Sequence, residues 1–245
     1  MSVIYTPKGR ALEYAKLAAN LYRGCENRCE YCFVPSVTRK SAEQFHSPDF
    51  IGPRKDILKQ LEKDAKKYQG CPDNVLMSFT TDPYQSIEEN LKITREAIKI
   101  FNKFNIGVTI LTKSGMLAQR DFDLLVQNIT PEFGVTLTCS SERQSRKWEP
   151  NAALPHERIN NLKAAHEAGI KTYVSFEPVL CPEEVYRLIS DTYYFVDFYK
   201  VGKLNYHPHA KTIDWPLFRE NVIDILHAYD KDFMIKKDLL EVRLC

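Results

Sequence analysis

Short apolar runs rich in β-branched and aromatic residues alternate along this chain with longer stretches whose apolar positions recur every three to four residues. The runs are NVLMSFT (74–80), IGVTILTK (106–113), FGVTLTC (133–139), IKTYVSFEP (170–178) and YFVDFYKVG (194–202), with another over about 16–22. They read as strands buried on both faces. Between them, PRKDILKQLEKDAKKYQ (53–69) sets Ile57, Leu58 and Leu61 on one face and offers Pro53 for a first helical turn. SIEENLKITREAIKIFNKF (86–104), RDFDLLVQNI (120–129), PHERINNLKAAHEAG (155–169), PEEVYRLIS (182–190) and WPLFRENVIDILHAYD (215–230) read as further helices. Strand and helix in alternation predict βαβ units around a parallel sheet. Six such units are visible, and a complete eight-unit barrel typically takes about 250 residues. The expectation is an α/β fold, a partial (β/α)6 barrel of the TIM type, forming a single domain over residues 1–245.

In parallel architectures the chemistry gathers at the C-terminal ends of the strands. Those ends are polar here: Thr80, Thr81 and Asp82; Lys113; Thr138 to Ser141; Glu177; then Lys203 and Asn205. Singly, each has an ordinary reading as a cap, a turn or a solvated charge. Their shared placement on one rim marks them together as candidates.

Composition narrows the setting. With 245 residues, 44% hydrophobic and 27% charged, the chain is long enough to bury one sizeable core. Its net charge of +2 excludes the strong basic field of a protein that coats nucleic acid, though not a local groove. No run approaches the about 18 apolar residues of a membrane-spanning helix. MSVIYTPKGRALEY at the N-terminus lacks the apolar core of a signal peptide. A cytoplasmic location is therefore expected, and in a reducing compartment thiols serve metals or catalysis more than disulfides.

Of the seven cysteines, Cys71, Cys139, Cys181 and Cys245 are scattered and read as small buried hydrophobes. The other three crowd into RGCENRCEYCF (23–33) at a C-x3-C-x2-C spacing. Three thiolates suit three corners of an iron-sulfur cubane and leave one iron open, the mark of a catalytic metal site. Zinc, with Cys71 or His46 as a fourth ligand, and thiol redox chemistry remain open on spacing alone.

The motif CENRCEYCF resembles the radical S-adenosylmethionine (SAM) signature CxxxCxxC followed by an aromatic residue. NLYRGC (20–25), TTDPYQSIEENLKITRE (80–96), ILTKSGMLAQRDFDLL (110–125), KWEPNAALPHERINNLKAAHEAGI (147–170) and YKVGKLN (199–205) are similar to successive blocks of the spore photoproduct lyase-like, or DNA repair photolyase-like, group. The resemblance spans roughly residues 4–240. It implies a [4Fe-4S] cluster on Cys25, Cys29 and Cys32, within the loop 24–33. It implies SAM on the open iron, and one-electron cleavage to a 5'-deoxyadenosyl radical that takes a hydrogen from substrate. Carried over by position, Thr81 and Asp82 would contact the methionine part of SAM, Lys113 its carboxylate, and Thr138 or a neighbour such as Ser140 the ribose. Tyr31, Phe33 and Glu177 complete the expected cofactor-binding set. The reductant expected is a flavodoxin or ferredoxin.

Two departures set this chain apart from the lyase. Phe79 stands where the lyase has a hydrogen-donating cysteine, and Phe33 where it has the second tyrosine of a relay pair. Tyr31 acting alone, or Cys139, could supply the missing donor. The expectation is thus a radical SAM enzyme, a lyase or modifying enzyme other than authentic spore photoproduct lyase, whose substrate could be a nucleobase in DNA, RNA or a nucleotide. Arg143, Arg146, Lys147 and Trp148, with Lys236, Lys237 and Arg243, are the candidates for a nucleic-acid groove. The alternative is a non-catalytic iron-sulfur or zinc module that binds a partner or senses redox state.

Overall fold

All six apolar runs form parallel strands of one sheet: β2 (Leu17–Ala19), β5 (Val75–Met77), β6 (Val108–Thr112), β7 (Glu132–Thr136), β8 (Lys171–Phe176) and β9 (Phe198–Val201). The computed structural model describes residues 2–242, so Arg243 and Cys245 lie outside the described residues. Two strands of this sheet were not expected. β1 (Ile4–Tyr5) adds antiparallel to β2 at one edge, and β10 (Asp232–Ile235) adds parallel to β9 at the other. The order β1-β2-β5-β6-β7-β8-β9-β10 is that of an open, curved α/β sheet. A small separate ribbon pairs β3 (Tyr22–Arg23) with β4 (Gly52–Pro53).

Helices cover the outer face, where Val75, Met77, Val108, Ile110, Phe133, Val135, Val174, Phe176, Tyr199 and Val201 enter one apolar core. Strand side chains alternate between faces, and the inner face carries a smaller cluster of Tyr14, Ala18, Leu76 and Tyr173 with Phe79, Leu111 and Phe198 against it. The inner face is not apolar throughout, because Ser175 and Lys200 stand on it as cross-strand partners.

Several boundaries differ from the sequence reading. Pro53 lies in β4 opposite Tyr22, and the helix begins only at Ile57. The segment 86–104 breaks at Lys92, whose φ of 53° ends one turn at Leu91 before Ile93–Lys103 begins. Residues 120–129 hold a 3-10 turn, Met116–Asp121, running into Phe122–Leu125. An unexpected helix, Glu142–Trp148, is capped by Ser141. No helix among the described residues is long and apolar enough to cross a membrane.

Candidate active site

The cysteine loop leaves β3 through Gly24, whose φ of 68° is left-handed. A side chain there would press on the Phe45 carbonyl and Ile51. Cys25, Cys29 and Cys32 are half-buried and carry free thiols. Burial pushes all three thiols up in the metal-free protein.

The loop is tied down on two sides. On the first, Asn27 Nδ2 donates to Asp82 Oδ2 at 3.1 Å, the Glu26 amide donates to Gln85 Oε1 at 2.9 Å, and the Ser86 hydroxyl donates to Glu26 Oε2 at 2.6 Å. On the second, the Glu30 amide donates to the Trp148 carbonyl at 2.9 Å and Asn151 Nδ2 to the Glu26 carbonyl at 2.8 Å. His46, weighed as a zinc ligand, instead contacts the Cys25 carbonyl through Nδ1 at 2.5 Å. Cys71 packs against the main core.

A buried ion pair stands behind the loop. Arg158 Nη2 and Glu149 Oε2 lie 2.6 Å apart, close enough for an ion pair without hydrogen-bond alignment, and both side chains are essentially unexposed. Arg158 also donates to the carbonyls of Ala153 and Thr136, each at 2.8 Å. The Tyr31 hydroxyl donates to the other Glu149 oxygen. Burial would raise the Glu149 carboxyl, but Arg158 and Lys113 more than offset it and hold it below the usual range. Lys113 lies 5.7 Å above the Tyr31 ring. Burial would lower its ammonium, but the neighbouring acidic groups of Cys29 and Glu149 outweigh that and raise it.

Asp82 is placed differently from its expected role as a SAM ligand. Its Oδ1 accepts from the Tyr84 amide (2.9 Å) and the Thr112 hydroxyl (2.6 Å), its Oδ2 from Asn27 and the Lys113 amide (2.7 Å). All four acceptor positions of the carboxylate are taken. Asp82 is thus a clamp joining the cysteine loop, the 80–86 segment and the end of β6. Thr81 lies under Ser78, whose hydroxyl donates to the Thr81 carbonyl at 2.5 Å. Asn20 holds the same segment, its Oδ1 accepting from the Phe79 and Thr80 amides, each at 3.0 Å.

The remaining expected residues scatter. Thr138 is buried at the end of β7. The Ser140 amide is engaged by Glu184. Phe33 is 56% exposed beside the loop. Glu177 pairs with Lys236 at 3.6 Å on the far half of the sheet. Cys139, considered as a hydrogen donor, is 3% exposed within the main apolar core, where burial pushes its thiol up to about 12. That position is the one expected of a packing residue. Trp148 is buried edge-on against His207 at 5.2 Å, so it packs and is not free to stack a base. Lys236, a candidate for a nucleic-acid groove, is buried.

One observation fits bound cofactors at this rim. The Thr80 and Thr138 hydroxyls, at the ends of β5 and β7, are buried without a hydrogen-bond partner, and such groups imply a ligand or water. A cavity of about 250 Å³ next to the cysteine loop is lined by Asn27, Tyr84, Lys113, Ser114, Met116 and Asn151 among others.

Comparison with known proteins decides the family. The Radical SAM superfamily profile matches residues 19–196. The chain belongs to the Radical SAM superfamily. Membership brings the family's cofactors, a [4Fe-4S] cluster and SAM, and identifies an enzyme of SAM radical chemistry. An uncharacterized protein of Methanocaldococcus jannaschii is 30% identical over 193 residues, 78% of this chain and 71% of that protein. An uncharacterized protein of Mycobacterium tuberculosis is 26% identical over 180 residues, 71% of this chain, and the chain spans about half of it (52%). Among solved structures, a mutant spore photoproduct lyase with bound AdoMet and dinucleoside spore photoproduct superposes with a TM-score of 0.72 at 14% identity, covering 95% of this chain and 78% of that one. SuiB of Streptococcus suis bound to S-adenosylmethionine gives 0.63 at 13% identity, over 89% of this chain and 45% of that one. At these identities the superpositions speak for the radical SAM fold of the partial TIM-barrel type.

Glu149, Arg158, Asn20 and Asn27 carry the frame of the site and had no role in the sequence reading. Glu149 and Arg158 sit inside the KWEPNAALPHER block, so a paired acid and base within a shared motif was the available signal. Nothing in one sequence pairs Asn27 with Asp82, 55 residues away.

Proposed function

We propose that this single-domain protein is a radical SAM enzyme, acting in the cytoplasm with a flavodoxin or ferredoxin as reductant, on a substrate held at the concave face of the sheet. When bound, the cluster and SAM would supply one-electron cleavage to a 5'-deoxyadenosyl radical able to take a hydrogen from that substrate. The observation that supports the reading is that three framed thiols follow β3 while the unpartnered hydroxyls of Thr80 and Thr138 stand at the C-terminal ends of β5 and β7 in the same sheet. Cys25, Cys29 and Cys32 hold the cluster. Lys113, aimed by the Asp82 clamp on its own amide, takes the SAM carboxylate, as an ammonium suits a carboxylate. Thr80, with Thr81 behind it, serves the methionine end, and Thr138 the ribose hydroxyls. Phe33, exposed beside the last cysteine, offers an apolar face to the cofactor. Asp82, Glu149 and Arg158 act as positioning residues.

The substrate differs from that of spore photoproduct lyase. Phe79 packs edge-on against Tyr14 at 5.8 Å on the concave face, where the lyase's donor thiol would stand. The Tyr31 hydroxyl is bound to Glu149, and burial raises its pKa. A nucleobase in a nucleotide, DNA or RNA remains the substrate class suggested by the group resemblance.

The test is anaerobic. Protein reconstituted with iron and sulfide is given SAM and dithionite, and 5'-deoxyadenosine is quantified against a Cys25, Cys29, Cys32 triple-alanine variant. Product from the wild type alone supports the reading. Fully iron-loaded protein that makes none rejects it in favour of a redox-sensing or binding module.

A further inference from the structure

The half of the concave face formed by β8, β9 and β10 takes no part in holding the cysteine loop, yet it buries two lysines. Lys236 is 8% exposed and Lys200 9%. Their surroundings differ. Lys236 lies 3.6 Å from the Glu177 carboxylate and donates to the Arg10 carbonyl at 3.1 Å. Glu177 reaches it by lying across Gly202, where any side chain would overlap the carboxylate. At the opposite end of the strands, Glu132 is paired with Lys171 at 3.4 Å. Lys200 has no carboxylate partner among the described residues. Its Nζ sits 3.8 Å from the Tyr14 ring centroid and 4.7 Å from that of Tyr173, with one long contact of 3.4 Å to the Tyr14 carbonyl.

An ammonium has three donors, and burying one without a counter-charge is costly. Aromatic faces return only part of that cost. The Glu177–Lys236 and Glu132–Lys171 pairs cancel, as does Arg10–Asp238 at 3.4 Å beside them, which leaves Lys200 as the buried ammonium of this face with no carboxylate in contact among the described residues. Two further groups beside it are unsatisfied. The Tyr14 and Ser175 hydroxyls are buried and meet no hydrogen-bond geometry, although the Tyr14 hydroxyl lies close to those of Ser175 and Tyr173. Ser175 and Lys200 are register partners on β8 and β9, so their side chains stand side by side on the same face of the sheet. The Tyr173 hydroxyl is already committed to the Ile110 carbonyl at 2.8 Å.

Three unspent donors, one of them an ammonium with no carboxylate in contact, describe a receptor for a singly charged oxygen anion. We propose that Lys200, with the hydroxyls of Tyr14 and Ser175, holds a monoanionic oxygen group of the substrate, a carboxylate or a phosphodiester. This rests on the concave face being the substrate side of the enzyme. It divides the face in two: the β2 to β7 half carries the cofactors, and the β8 to β10 half anchors the substrate by its charge. The arrangement selects for charge and for a position along the face, and it excludes substrates that are neutral at that point.

The test uses cluster-loaded wild-type protein with SAM and reads no SAM cleavage. Each lysine is trace-acylated and quantified by mass spectrometry in sodium chloride, sodium acetate or dimethyl phosphate at matched ionic strength. The expected result is that saturating acetate or dimethyl phosphate slows Lys200 acylation by about tenfold relative to chloride, while the exposed Lys147 is unchanged. The anion that protects identifies carboxylate or phosphodiester as the source. Ser175→Ala should weaken the protection. If Lys200 acylates equally in all three salts, or if Lys147 is protected to the same degree, the proposal is overturned. Should Ser175→Ala fail to fold, the wild-type comparison decides alone. A protein that shows protection but makes no deoxyadenosine would keep this site while losing the radical SAM reading of its chemistry.

Discussion

Arg158 and Glu149 show what one buried charge does for this site. Replacing Arg158 with methionine would leave the Glu149 carboxylate buried beside Tyr31 with only Lys113 nearby, and breaking such a pair costs about 3–5 kcal/mol. Chemical denaturation of Arg158→Met should show that loss, and Glu149→Gln combined with it should recover part. Lys200 gives the opposite sign. Burial holds its ammonium down at about 8 against an ordinary 10.5, with Glu132 and Glu177 raising it and Lys236 and Lys171 lowering it. Between those two values the unfolded chain binds more protons than the folded one, so stability rises with pH through that window. Below about 8 the charged form must be buried and the whole cost is present. Lys200→Met should therefore be more stable than wild type at pH 7 by on the order of 3 kcal/mol, with the gain fading as pH approaches 10.5. Urea titrations at pH 7 and 10 check this; a variant less stable than wild type at pH 7 would contradict it. Cys139→Ala, a change within the core, should lower stability while leaving deoxyadenosine yield per cluster unchanged.

At the scale of elements, two glycines let side chains cross the concave face. Tyr173 lies over Gly134 to reach the β6 backbone, and Glu177 over Gly202 to reach Lys236. A methyl group at Gly134 would overlap a ring fixed at both ends, and overpacking of that kind costs about 1–3 kcal/mol. At Gly202 it meets the end of a glutamate side chain, which has more rotatable bonds to turn aside. Gly134→Ala should thus lower the melting temperature clearly more than Gly202→Ala, and equal losses would count against this account. The same scale shows where sequence periodicity misleads. Pro53 suits a first helical turn, but the β3–β4 ribbon claims it, and Lys92 in a left-handed conformation splits a stretch whose apolar spacing looks continuous.

For the whole molecule, the cysteine loop is bound to segments as distant as residues 82–86 and 148–151. A ligand that binds only the folded state stabilises it, and cluster binding needs these segments in place together. Iron-loaded protein should accordingly melt at a higher temperature than the metal-free form, in one transition across the chain. Two separate transitions in calorimetry would contradict the single-domain reading.

The sequence by itself determined the parallel α/β architecture, because strands buried on both faces must be apolar throughout and the helices between them must show a stripe. It also singled out Cys25, Cys29 and Cys32 as the candidate cluster ligands, since C-x3-C-x2-C with a following aromatic is local and dense. The polar strand ends were legible for the same reason. Only the tertiary structure decided what those ends do. Asp82 is a clamp because Asn27, Tyr84, Thr112 and Lys113 converge on it from separate segments. Lys200 is one of two charged residues, with Asp197, in the run YFVDFYKVG; its missing counter-charge emerges only once β8 and β10 stand on either side. β10 itself is a short run after a helix, and it becomes a strand because β9 presents an open edge for it to pair with. Local pattern specifies elements and dense motifs; balance of charge and of hydrogen bonds belongs to residues that meet only after the chain has folded.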